Sequence, residues 1–237
     1  MPIELIPPQR EGLHIGILPI DRHWVRVMVR LPMVHRLDTL TTLKVVRDTQ
    51  EARDQCDLVF ELHEAHWRLV DPISAPERPG IWHRPKRAVP ALASALGAAR
   101  WLSEMLQRPA RSSLEFPDLM LWLRDGGQLM WRRIAGDPGI ADDLVLEHVD
   151  CLVNEHTRHQ LLDLEMPSLP GARMRLMGLK ETLRDLAPGP AHTMTFTRWE
   201  RIDPDNWPQV RGIYMVLQGA PCPSESPFQR LELELPA

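Results

Sequence analysis

Apolar and polar residues alternate along Trp24–Leu31. Val25, Val27, Val29 and Leu31 lie on one side, and Trp24, Arg26, Met28 and Arg30 on the other. That two-residue period predicts a half-buried strand. The apolar run Leu13–Ile20 predicts a strand before it, with Asp21-Arg22-His23 as the turn and Pro32 as the stop. Asp38 or Thr39 offers an N-cap for a helix reaching about Cys56, against which the β-branched Thr41, Thr42, Val45 and Val46 count. Leu58–Val70 fits two descriptions: a strand with Glu61, His63, Ala65 and Trp67 on one face, or a continuation of the helix.

Pro72, Pro76, Pro79, Pro85 and Pro90 then punctuate the chain, which predicts a loop and a domain boundary. Ala91–Gln107, rich in Ala and Leu and stopped by Pro109, predicts a helix. Leu119–Arg124 and Leu129–Ile134 read as a hairpin around Asp125-Gly126-Gly127-Gln128, with Trp122 opposite Trp131. A helix is expected from about Ala141 to Leu164, and strands at Thr193–Arg201, Gly212–Gln218 and Phe228–Leu235. Strands at both ends with helices between them predict an α+β fold in which the terminal segments pair in one sheet. The expected organisation is a β-rich part over 1–75, a basic helical insertion with a hairpin and an acidic helix over 76–170, and completing strands over 171–237.

Length and composition change this picture little. With 237 residues, 43% hydrophobic and 25% charged, the chain can bury a sizeable core. No apolar run approaches the roughly 18 residues of a membrane span. The first ten residues carry prolines and Glu4 where a secretory signal would have positive charge and an apolar stretch. Three scattered cysteines without a C-x-x-C spacing argue against a disulfide framework. A cytoplasmic protein that makes no use of the membrane is expected.

Charge is more informative. Only Lys44, Lys86 and Lys180 are lysines among 28 basic residues. Arginine adds a planar fork that grips phosphate or carboxylate and stacks on flat rings, of which eight tryptophans supply many. GC-rich coding DNA raises Arg, Ala, Pro and Leu together, which accounts for the ratio but not for the placement. Arg78–Arg111 holds seven basic residues against Glu104 alone, and Asp137–Glu165 holds eight acidic residues against Arg158 alone. Two electrostatic faces follow.

Three constellations could carry chemistry. His14, Arg22, His23, Arg26, Arg30, His35 and Arg36 crowd the first segment. Imidazoles suit proton transfer and guanidinium groups suit charge stabilisation, as metal-free RNA cleavage requires, although a solvated strand face would carry the same residues. A basic segment, Arg84, Lys86 and Arg87, leads into the helix bearing Arg100, with Arg108 and Arg111 beyond. It could lie along a nucleic-acid groove or pair with the acidic helix. His148, Cys151, Glu155 and His159 fall on one stripe of the expected acidic helix, a spacing better read as a polar stripe than as a metal site. His63-Glu64-Ala65-His66 lacks the zincin spacing, and the phosphate-loop, dinucleotide and serine-hydrolase motifs are absent.

A layout of arginines and histidines after the first strand, a basic helical insertion and a return to β resembles the CRISPR-RNA processing endoribonucleases of the RAMP superfamily, particularly type IV members. The glycine-rich loop many of them carry is represented here only by isolated Gly212 and Gly219. The resemblance implies a ferredoxin-like antiparallel sheet and metal-independent cleavage of a hairpin RNA that stays bound. It implies no cofactor, and other ribonucleoprotein subunits as partners in antiviral defence. It would place Arg22, His23, His35, Arg36 and, from the last strand, Arg230 near the scissile phosphate. Arg26, Arg30, Arg84, Lys86, Arg87, Arg100, Arg108 and Arg111 would grip the RNA. Whether histidine or arginine moves the proton stays open. The rival reading is a non-enzymatic interaction or assembly subunit of a mobile-element or secretion machine, with the acidic helix and tryptophans as its interface.

Overall fold

Strand β1 (Leu13–Pro19) organises the first half of the chain. In the computed structural model, which describes residues 12–28, 34–37, 40–74, 79–86, 89–107, 116–137, 140–165, 178–179, 181–183, 185, 192–198 and 210–223, it pairs in parallel with strands on both sides. One neighbour is β3 (Thr41–Val45), the other β4 (Leu58–Leu62). β2 (Val34–Arg36) runs antiparallel to β3, and β5 (Trp67–Val70) antiparallel to β4, giving the order β2-β3-β1-β4-β5. Described residues up to Gly80, with 84–107, form one compact unit, and residues 81–83 with those from 116 to 223 form a second.

Parallel neighbours cannot be joined by a tight turn and need a crossover, usually helical. Helix α1 (Arg22–Met28) lies on the path from β1 to β3. The expected second strand is therefore a helix. Its alternation is outweighed by Trp24 and Met28, four residues apart and both buried, while Val25 stays exposed. The path from β3 to β4 runs through α2 (Thr49–Gln55), whose N-cap Asp48 accepts from the Glu51 amide at 2.8 Å. The long helix expected to Cys56 thus splits: its β-branched start is β3 and only its end is helical. α2 packs Ala52 and the adjoining Cys56 against Leu18, Val46, Val59 and Val70. Gly16 permits this approach, because a Cβ there would lie 2.8 Å from Cys56 Sγ. Leu58–Val70 resolves into the hairpin β4–β5. Helix α3 (Ala91–Gln107) matches expectation and buries Ala91, Ala95, Ala99, Leu102 and Met105 along one stripe.

The second unit has the order β6-β7-β10-β8-β9. β6 (Ile81–His83) and β7 (Gly127–Gly136) are parallel, β10 (Val210–Gln218) is antiparallel to β7 and β8 (Thr157–Glu165), and β9 (His192–Arg198) is parallel to β8. Helix α4 (Phe116–Asp125) replaces the first arm of the expected hairpin, burying Leu119, Trp122 and Leu123 at helical spacing. Gly126 and Gly127, with φ of 61° and 137°, end that helix instead of turning a hairpin, and Gly126 N donates to Trp122 O at 2.9 Å. Trp122 and Trp131 are therefore not cross-strand partners. Helix α5 (Ala141–Leu152) is shorter than expected and β8 follows it. Val145, Val149 and Leu152 pack on Ile134, Leu162, Leu164, Tyr214 and Val216.

Mixed α and β content agrees with the α+β class. The wholly antiparallel sheet does not hold, since β1 has two parallel neighbours. β9 and β10 pair with β7 and β8 rather than with β1. The strand expected at Phe228–Leu235 lies outside the described residues.

Candidate ligand site at the carboxyl edge of the first sheet

Chain direction reverses beside β1. The first crossover moves from β1 to β3 on one side, and the second returns past β1 to β4 on the other. In open sheets with such a reversal, the crevice outside the strands' carboxyl ends is the usual ligand position. At that edge β1 runs on through Ile20, whose amide donates to Leu62 O at 3.0 Å, into Asp21, Arg22 and His23. β4 runs on into the turn His63-Glu64-Ala65-His66, closed by His63 N donating to His66 O at 3.0 Å. Trp24 ties the two together: its indole Nε1 donates to His63 O at 3.0 Å. The His23 ring meets the Trp24 ring edge-on at 4.9 Å.

Behind this edge sits a charged cluster of unusual burial. Glu61 is 0% and Arg68 2% exposed. Glu61 Oε2 lies 3.8 Å from His63 Nε2 and 3.9 Å from Arg68 Nη1. Arg68 Nε also donates to Pro79 O at 2.7 Å. The two residues are direct cross-strand partners in the β4–β5 register, so the hairpin itself brings the charges together. His63 and His66 stack face to face, 4.4 Å apart and 1° from parallel. Burial, then the neighbouring His63 and Arg84, bring the His66 imidazole down to about 4, against a smaller upward pull from Asp21. His66 is therefore neutral at pH 7. Arg22 and Arg84 are exposed and make no ion pair among the described residues.

The residues expected to cleave RNA are not brought together. Arg22 and His23 reach the carboxyl edge. Arg36 pairs with Thr42, which pairs with His14, and so sits near the opposite end of β1, about 16 Å along the strand from Pro19. His35 shares that strand, in register with Leu43. Arg26 is exposed on α1, while Arg30, Arg87, Arg108, Arg111 and Arg230 lie outside the described residues. Arg100 pairs with Glu104 on its own helix at 3.3 Å, and Lys86 is exposed. The expected polar stripe of His148, Cys151, Glu155 and His159 dissolves because α5 ends at Leu152: His159 belongs to β8, and His148 Nε2 meets Arg133 O at 3.0 Å. Among the described residues no group of three or more His, Cys, Asp or Glu is placed to hold a metal ion, and no helix is long and apolar enough to cross a membrane.

Sequence reasoning noted the two histidines of the turn at 63–66 but missed their stack and the Glu61–Arg68 pair. The opposite charges at 61 and 68 were the available signal, readable only once the segment is taken as a hairpin. A second pair was also missed. His159, 1% exposed, donates from Nε2 to Asp125 Oδ2 at 2.8 Å and stacks on Trp122. Burial pushes the Asp125 carboxyl up, but hydrogen bonds from His159 and Arg124 outweigh it and hold the group below its usual value. Asp125 ends α4 and His159 is the third residue of β8, so the contact joins helix to sheet within the second unit.

No protein-family model and no curated protein sequence matches the chain. Solved structures similar to it include an empty FtsZ dimer from M. jannaschii, at TM-score 0.40 and 15% identity, covering 53% of this chain and 39% of that one. CetZ2 from Haloferax volcanii, a GTPγS-bound protofilament, aligns at TM-score 0.36 and 13% identity over 78% of this chain and 53% of its own. GDP-bound CetZ1 from the same organism aligns at 0.32 and 14%, over 78% and 52%. The chain spans about half or less of each. These neighbours are not RAMP nucleases, and the RAMP resemblance is corrected accordingly. The endoribonuclease activity, the CRISPR role, the hairpin RNA and the ribonucleoprotein partners fall with it, and the assembly-subunit alternative gains no support. At such low scores the alignments assign neither a family nor a ligand to this chain.

Proposed function

We propose that the first unit binds a small oxyanion, a phosphate or carboxylate group, at the carboxyl edge of β3, β1 and β4. The observation that carries this reading is the reversal of chain direction beside β1: Arg22 stands exposed just past the carboxyl end of β1, and Arg84, also exposed, acts by its charge on His66 of the neighbouring turn, neither with an ion pair among the described residues. Arg22 and Arg84 supply the charge-assisted donors. His23, beside Arg22, adds a donor from its ring.

The ligand is compact. The turn leaving β1 is Pro19-Ile20-Asp21-Arg22-His23, without a glycine, so its backbone cannot fold around a chain of phosphates. Asp21 also repels additional negative charge. Inorganic phosphate should raise the melting temperature, with about 2.7 kcal/mol of stabilisation at a hundredfold excess over Kd. Arg22→Ala and Arg84→Ala should each weaken phosphate binding about tenfold in calorimetry. Phosphate that leaves the melting temperature unchanged, or that binds both variants as tightly as wild type, would sink the reading. GTP or GDP binding far more tightly than phosphate would replace the compact ligand with a nucleotide.

A further inference from the structure

We infer that anion binding at this edge is coupled to uptake of a proton by His66, so that the site takes anion and proton together. The inference rests on the reading of the edge as an oxyanion site and goes beyond it by assigning a proton-linked regulation.

The geometry sets the coupling. His66 is 6% exposed and lies flat against His63, so a charge on its ring would be poorly solvated and would meet a second imidazole at 4.4 Å. The charged and titratable groups described around it come from several elements. Arg68 stands on β5, Arg84 follows β6, Glu61 stands on β4, Glu64 is in the turn itself, Asp21 precedes α1, and Arg22 and His23 open it. Glu61 is engaged with His63 and Arg68, and Arg84, with no ion pair among the described residues, acts on His66 as a cation. With the edge empty, these surroundings favour the neutral ring. An anion held by Arg22 and Arg84 reverses the local sign: it neutralises Arg84 and adds negative charge beside the turn of His66, to which the Arg22 segment is tied by Ile20 N donating to Leu62 O and Trp24 Nε1 donating to His63 O, both at 3.0 Å. The protonated ring is then favoured. Linkage is reciprocal, so a proton that gains from the anion must strengthen anion binding by the same factor.

Sulfate is the probe of choice, because it stays a dianion across the range and any pH dependence belongs to the protein. Calorimetry with sulfate at about pH 7 and about pH 5, in buffers of different ionisation heat, should give at least about fivefold tighter binding at the lower pH, with net proton uptake. His66→Gln should bind with an affinity that no longer changes with pH, whereas His23→Gln should keep the change. In wild type, the ring resonances of His66 should titrate at higher pH with sulfate than without it, a readout independent of how the variants fold. Sulfate binding equal at both pH values, a His66 titration unmoved by sulfate, or a pH dependence that survives His66→Gln would overturn the coupling while leaving the anion site standing. If neither sulfate nor phosphate binds at any pH, the site itself is refuted and the coupling with it.

Discussion

Gly127 has a φ of 137°, and a Cβ there would lie 2.1 Å from Gln218 O. Both facts oppose any side chain: the conformation is one L residues rarely adopt, and the colliding atom is backbone, which cannot rotate away. Gly127→Ala should destabilise the protein by about 2–4 kcal/mol, seen as a lower urea midpoint with unchanged slope. A loss under about half a kcal/mol would mean the α4–β7 corner relaxes freely. The same corner shows what single residues reveal. Asp125-Gly126-Gly127 announced a turn correctly, because glycine's steric freedom is local. Which element it ended was not local, since a short apolar run such as Leu119–Leu123 suits a strand or a helix. Burial of Trp122 against His159 in β8 belongs to the helical outcome.

Among the secondary-structure elements, α2 is the connection that brings the chain back past β1, and it is only seven residues long. So short a helix depends on its cap and on packing rather than on propensity. Asp48 supplies the cap, and the Glu51 side chain returns a contact by accepting from Arg47 N at 2.9 Å. That backbone hydrogen bond is the main reason the Glu51 carboxyl lies below its usual value. Asp48→Ala should cost about 1 kcal/mol in chemical denaturation, and Asp48→Asn much less. Equal losses for both would show that the charge, not the accepting oxygen, provides the cap. α3 was legible to its last residue because a seventeen-residue stretch rich in Ala and Leu, set between two prolines, leaves a single solution. α1 was not. Its valines favour β structure, and the parallel placement of β1 and β3, set by contacts distant in sequence, requires a crossover there.

Over the entire fold, buried titrating groups make stability depend on pH in two stages. His66 has a folded value of about 4 against an ordinary 6.5, so between these the unfolded chain binds more protons. Stability is therefore complete above 6.5 and declines as pH falls through that window. His83, lowered by burial despite its hydrogen bond to Leu129 O, acts in the same direction. Asp125, depressed below its ordinary 3.8, contributes stability that persists above that value and disappears as pH falls further. Urea midpoints should fall between about pH 6.5 and about pH 4.5 in wild type, and His66→Gln should remove part of that fall. A wild-type midpoint that stays flat across this window would mean that His66 is solvated in the folded state.

Local features follow from the chain alone: β1, α3, the core of β10, and the glycine turn after Asp125. The chain also offered Arg22 and His23 as candidate site residues. These follow from propensity, chain stops and side-chain chemistry, all of which act within a few residues. Partners, by contrast, came from long-range packing. It separated Arg36 from Arg22 by placing it on a strand antiparallel to β3, at the far end of the sheet. The β4–β5 hairpin, which periodicity could not tell from a helix, stacked His63 on His66 and set Glu61 against Arg68. Strand order and register arise from burial summed over contacts far apart in the chain, and no short window of residues contains that sum.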